Sequence, residues 1–115
     1  MTNHAHGHHA EVVAARWLQA EGYKVYALNW RTSRAEIDII AQRPGEALQF
    51  IEVKYRQTDR QGSGLEYITT AKQRQMRFAA ELWIAQHRYD GEYMLSALEV
   101  SGHEYCVSAF IESIG

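Results

Sequence analysis

Two apolar runs, A-E-I-D-I-I-A-Q (35–42) and A-L-Q-F-I-E-V-K-Y-R (47–56), stand on either side of Arg43-Pro44-Gly45-Glu46. Ile, Val and Tyr favour strands. Pro followed by Gly at the two central positions marks a type II turn. The stretch therefore predicts an antiparallel hairpin, in which facing residues have position numbers of constant sum. A turn centred near 44.5 to 45 makes that sum 89 to 90, which sets Asp38 opposite Glu52 or one place off.

Two carboxylates in that relation are costly. Facing Cβ atoms lie about 5 Å apart, and at an effective dielectric of ~20 the charges repel by roughly 3 kcal/mol. Ile37, Ile39 and Ile40 flank Asp38, so bulk water does not screen the pair. Something positive must offset it. Lys54 is one candidate, since residues at i and i+2 of a strand share a face. A divalent cation is the other: Mg²⁺ takes one or two carboxylates and keeps several waters for phosphates.

The remaining chain supplies partners. Residues 9–21 are rich in helix formers and end at Gly22, a C-cap signal. Glu11 shares a helical face with Ala14, Ala15 and Leu18, so that small-residue face can pack on a sheet and aim Glu11 at its edge. Residues 23–30 alternate as a strand, and 57–64 read as a mobile polar loop. Thr70-Ala71-Lys72-Gln73 matches a capping box with Thr70 as N-cap. The helix it opens runs to about His87, with Met76, Ala79, Ala80, Trp83 and Ile84 as its apolar stripe. Lys72 and Gln73 begin that core-facing side. Two strands follow, near 92–100 and 104–111. The order α-β-β-β-α-β-β predicts an α/β fold, one mixed five-stranded sheet flanked by helices.

A site of Glu11, Asp38, Glu52 and Lys54, joined by Lys72 or Gln73, combines metal ligands with cations and suits phosphodiester hydrolysis. E-x-K alone is common and reads as well as an exposed ladder; the cross-strand Asp38 is what lends it weight.

The 115 residues make one domain, 1–115, with residues 1–8 as a disordered His-rich tail. His4, His6, His8 and His9 read as adventitious metal binders. No apolar run reaches membrane-spanning length, the N-terminus lacks a signal-peptide core, and Cys106 is the single cysteine. A cytoplasmic protein away from membranes is expected, with Cys106 buried in a strand. Trp17 and Trp83 fit helical core stripes, and Trp30 is the aromatic placed to stack on a base. The net charge of −2 does not announce a polyanion binder, yet its distribution is uneven: residues 1–80 hold 11 Lys and Arg against 8 acids, residues 81–115 one Arg against six. A basic surface from Lys54 to Arg77 can hold phosphates or be a solvated helix face.

Four segments, H-A-E-V-V-A-A-R-W-L-Q-A-E-G-Y-K-V, N-W-R-T-S-R-A-E-I-D-I-I-A, Q-F-I-E-V-K-Y-R and T-A-K-Q-R-Q-M-R-F-A-A, together resemble the YraN family. These are small bacterial proteins related to Holliday-junction resolvases within the PD-(D/E)XK nuclease superfamily. The resemblance implies a restriction-endonuclease-like α/β/α core. It makes Asp38 the motif aspartate, Glu52 and Lys54 the E-x-K, and Glu11 the acidic residue of the first helix. It adds the Val53 backbone carbonyl to a Mg²⁺ or Mn²⁺ shell held by Asp38 and Glu52, and it implies a homodimer. Ala35 stands where the family has Gly, and A-L-E-V (97–100) lacks the Arg of the family's late R-F-D-V-like strand. The expected activity is metal-dependent endonuclease action on branched or single-stranded DNA. Phosphates would be held by Arg34, Arg56, Arg60, Lys72, Gln73, Arg74 and Arg77. The alternative is a catalytically inactive module of the same fold that binds nucleic acid or a protein.

Overall fold

The computed structural model describes residues 3–57 and 67–114. Its elements are α1 (Asn3–Ala20), β1 (Lys24–Arg31), β2 (Glu36–Gln42), β3 (Leu48–Arg56), α2 (Thr70–His87), β4 (Tyr93–Ser101) and β5 (Cys106–Ile111). They form one five-stranded sheet in the order β1-β2-β3-β4-β5. Only the β3–β4 pair is parallel. Parallel neighbours need a crossover, and the segment between them contains α2. The element order and mixed sheet are those expected from the sequence.

Each face of the sheet carries one helix, giving three layers. Ala10, Ala14, Ala15 and Leu18 of α1 are buried against Ile39, Ala41, Ile51, Leu98 and Val100. Small side chains let this helix lie close to the strands. On the other face Met76, Ala79, Ala80 and Trp83 of α2 meet Ile37, Ile40, Leu48, Phe50 and Leu95. The apolar stripe read at helical spacing is thus the buried one, with Ile84 partly buried at its margin.

The helix ends show what the local sequence dictates. Gly22 adopts φ +93° after α1. Tyr23 N–H donates to Leu18 carbonyl at 2.9 Å and Gly22 N–H to Gln19 carbonyl at 3.1 Å, the paired bonds of a Schellman cap. At α2 the N-cap is Thr69, not Thr70: its side-chain oxygen accepts from Lys72 N–H at 3.1 Å. The shift puts Lys72, which has no acceptor, at the third helical position, so Gln73 closes no capping box. Thr69→Ala should therefore cost about 1 kcal/mol in denaturant unfolding and Thr70→Ala much less. The reverse ranking would reject this cap.

Three other expectations are corrected. The helix starts at Asn3, not residue 9, so the His-rich segment is not a disordered tail over its described part. His6 stacks on the Tyr55 ring at 5.1 Å between centroids, and its Nδ1 lies 2.5 Å from Tyr105 Oη. Cys106 is exposed, because it opens the edge strand β5. Trp30, expected as a base-stacking side chain, is half-buried and packs against the cluster beneath α2. The loop expected over 57–64, with Arg60, falls almost wholly on residues 58–66, outside the described residues. Among the described residues no helix is long and apolar enough to cross a membrane.

Candidate functional site

The hairpin turn forms where Pro44 and Gly45 predict it. Glu46 N–H donates to Arg43 carbonyl at 3.0 Å and Gly45 has φ +80°. The ladder then pairs Ala41 with Gln49, Ile40 with Phe50 and Ile39 with Ile51. These position numbers share the sum 90, the upper of the two expected values. Continued by one step, the register would set Asp38 abreast of Glu52, but the β2–β3 ladder stops at Ile39 and Ile51. Past that point β3 keeps its pairing with β4 as far as Arg56.

Asp38 fills the opening. Its Oδ2 accepts from Val53 N–H at 2.8 Å, a backbone donor that a continued ladder would have used. The N–H and C=O of a strand residue leave the chain on the same side, so the Val53 carbonyl faces this edge too.

Glu11 reaches the same place from α1, where it lines one cavity with Asp38 and Asn29. Asn29 sits at φ +50°, a left-handed conformation Asn tolerates better than most residues. From α2, Lys72 Nζ lies 3.0 Å from Glu52 Oε1. Acidic groups from α1, β2 and β3 thus meet one ammonium from α2.

The electrostatics follow from burial and like charge. Asp38 is pushed up to about 7, first by burial and then by Glu11, against the opposing Val53 N–H. Glu52 is also pushed up to about 7, by burial and by Asp38, with Lys72 opposing. Glu11 is raised as well, chiefly by burial. Lys72 at Glu52 and the weaker pull of Arg31 on Glu11 do not offset the burial of this set. Among the described residues no three His, Cys, Asp or Glu side chains form a ready-made metal cage. The donor set is instead two carboxylates with an adjacent backbone oxygen, the sparse oxygen shell that suits Mg²⁺.

The other predicted residues divide. Lys54 shares the strand with Glu52 but is exposed, with Nζ 5.8 Å from the Tyr67 ring centroid. Lys72, not Lys54, makes the ion pair with Glu52. Arg56 is only 7% exposed and its Nε lies 2.6 Å from Glu99 Oε2, so it is set in the interior instead of on a phosphate-binding surface. Gln73 is half-buried, and Arg34, Arg74 and Arg77 are exposed. Sequence reasoning missed Asn29, Arg31 and Glu36. With Glu11, Asp38, Gly7 and His8 these line a cavity of about 410 Å³. Arg31 and Glu36 form an exposed ion pair across the β1–β2 ladder at 3.6 Å. The polar Asn29 that opens N-W-R (29–31) was the one available signal for this part of the site.

The profile of the uncharacterised protein family UPF0102 matches residues 10–97, which include α1 from Ala10 onward, the hairpin, α2 and the start of β4. A UPF0102 protein of Beutenbergia cavernae is 43% identical over 81 residues, covering 70% of this chain and 68% of the relative. One from Vibrio campbellii is 35% identical over 97 residues, 82% of this chain and 79% of its own. One from Chlorobium chlorochromatii is 36% identical over 110 residues, 90% and 82%. The matched span holds Glu11, Asp38, Glu52, Lys54 and Lys72. The chain belongs to the UPF0102 family, the YraN family that its sequence resembles.

Proposed function

We propose that this protein is a Mg²⁺- or Mn²⁺-dependent endonuclease that hydrolyses DNA phosphodiesters at the opening between β2 and β3. One observation carries the reading. Asp38 and Glu52 converge, with Glu11 beside them, where the ladder ends and a backbone edge is left open, and among the described residues Lys72 is the cation paired with a member of this set. A buried acidic pair under-compensated in this way is stabilised by a divalent cation.

Asp38, Glu52 and the Val53 carbonyl are the groups that would hold the ion. A divalent cation there supplies Lewis-acid stabilisation of charge developing on the phosphate. The remaining roles belong to side chains. Val53 N–H fixes the Asp38 carboxylate. Lys72 orients Glu52 and puts positive charge where phosphate oxygens approach. Glu11, beside Asp38 in the same cavity and raised in pKa by burial, accepts a proton from the attacking water. Lys54, exposed on the same strand, reaches toward the substrate instead of toward Glu52. A branched DNA offers two strands for cutting, and a homodimer would present a site to each.

Lys54 also motivates a second reading. Its Nζ lies near Tyr67 and its side chain makes no ion pair with Glu52, as a retired nuclease fold that only binds nucleic acid or protein would allow. Cleavage of single-stranded, duplex, flap and four-way-junction DNA with Mg²⁺, Mn²⁺ or EDTA separates the two. Metal-dependent cutting lost in an identically prepared Lys54→Ala protein is the expected result. Equal traces in both proteins, or none, favour the binding module.

A further inference from the structure

On the α2 side of the sheet, beside the carboxylates, lies a groove of about 580 Å³ whose lining includes Arg31, Arg34, Glu36, Lys72, Arg74 and Phe78. Lys72 is the residue paired with Glu52, and Arg31 and Glu36 also line the cavity that holds Glu11 and Asp38. The groove is therefore continuous with the proposed catalytic site. Arg31 is paired with Glu36 and Lys72 with Glu52, and beside these pairs the groove carries Arg34 and Arg74, the side chains that attract a phosphate.

Phe78 breaks the pattern of α2. The buried stripe uses Met76, Ala79, Ala80 and Trp83, whereas Phe78 is 47% exposed. A single exposed apolar side chain is ordinary. Here the ring lies in a basic groove, and the Arg34 guanidinium carbon is 5.9 Å from its centroid. That distance is at the outer limit of a cation–π contact. A flat group entering between the two would exchange one loose contact for two close ones. A nucleobase is such a group, since bases stack on both aromatic rings and guanidinium planes.

We propose that Phe78 and Arg34 form a stacking platform for an unpaired base of a DNA strand whose backbone runs past Arg74 and Lys72 to the carboxylates. The inference rests on the DNA-cleaving reading above and deepens it by naming the substrate class. A base inside a duplex already has both faces stacked, so the platform selects single-stranded or frayed DNA. Phe78 lies six residues beyond Lys72 on α2, about 9 Å along the helix axis. At a stacked-strand rise of 3.4 Å that is on the order of two to three nucleotides from the scissile phosphate.

The test is fluorescence anisotropy in EDTA and moderate salt, with a labelled twelve-nucleotide oligo-dT strand and a labelled duplex of equal length. Phe78→Ala should weaken oligo-dT binding about tenfold, the order expected of one stacked base, and leave duplex binding within about twofold. Phe78→Trp should restore it, while Phe78→Leu, apolar without a π face, should behave as Phe78→Ala does. Melting curves of the variants verify folding, which an exposed helix position tolerates. Equal weakening of strand and duplex, no change in either, or rescue by Leu would overturn the platform while leaving the nuclease reading intact. A wild-type protein that binds neither DNA would overturn both.

Discussion

Replacing Asp38 by Asn is expected to lower metal-dependent cleavage by about a hundredfold or more, and to raise the metal-free melting temperature at pH 8. The two effects have opposite signs because the residue has opposite effects in two settings. Asn keeps an oxygen to accept the 2.8 Å bond from Val53 N–H, so the local hydrogen bonding survives. It removes a buried negative charge that sits among Glu11 and Glu52. Relief of that repulsion, on the order of 2 kcal/mol, corresponds to about 10 °C in a domain of this size. Loss of one preorganised charged group at a reacting centre costs about 10²–10³ in rate. Glu52→Gln is a less clean test, since it strands the Lys72 ammonium now 3.0 Å away. An ordinary structural residue would lose stability and activity together. Cleavage kept within about threefold, or a melting temperature that falls at pH 8, would remove Asp38 from the site.

How far this arrangement was legible depends on how local each cause is. The hairpin was legible because a turn and a period of two fix register: Pro44-Gly45 sets the sum of 90, which holds to Ile39 and Ile51, one step short of Asp38 and Glu52. The α2 stripe was legible because helical spacing decides which side is buried. The site's cations were less so. Lys54 shares a strand face with Glu52, but sharing a face says nothing of which ammonium arrives. That depends on how α2 is carried over the sheet, which sets Lys72 against Glu52. Arg56 was read as surface because its own neighbourhood is polar. Its partner Glu99 is 43 residues away and meets it only through the β3–β4 pairing that the crossover creates. Asn29 owes its place to φ +50° near the end of β1, a backbone choice that the alternating pattern of 23–30 hides. The cap slipped by one residue because two threonines in a row offer the same chemistry, and only the backbone decides between them.

The same acidic set makes stability depend on pH in an unusual direction. A paired carboxylate in an ordinary protein has a depressed pKa and stabilises the fold as pH rises. Here Asp38 moves from 3.8 up to about 7 and Glu52 from 4.5 up to about 7 on folding. Between about pH 4 and pH 7 the unfolded chain has released these protons while the folded chain still holds them. The folded state therefore binds more protons, and stability falls as pH rises through this window, then levels off above about 7. At about 1.4 kcal/mol per pKa unit, with the repulsion the two carboxyls share counted once, the pair contributes on the order of 4 kcal/mol, or about 20 °C in melting temperature. Glu11, also raised, adds in the same direction. Mn²⁺ or Mg²⁺ binds the ionised pair, so it should recover stability at pH 8, by about 2.7 kcal/mol at a hundredfold excess over Kd, and add little at pH 5. Melting curves from pH 4.5 to 8.5 in EDTA and in Mn²⁺ measure both slopes. The double variant Asp38→Asn, Glu52→Gln should flatten the EDTA profile and abolish the Mn²⁺ response. A wild-type profile that is flat or rising in EDTA would mean that the carboxyls are solvated or paired more fully than their geometry allows. A Mn²⁺ response that survives in the double variant would place the ion elsewhere, and with it the chemistry.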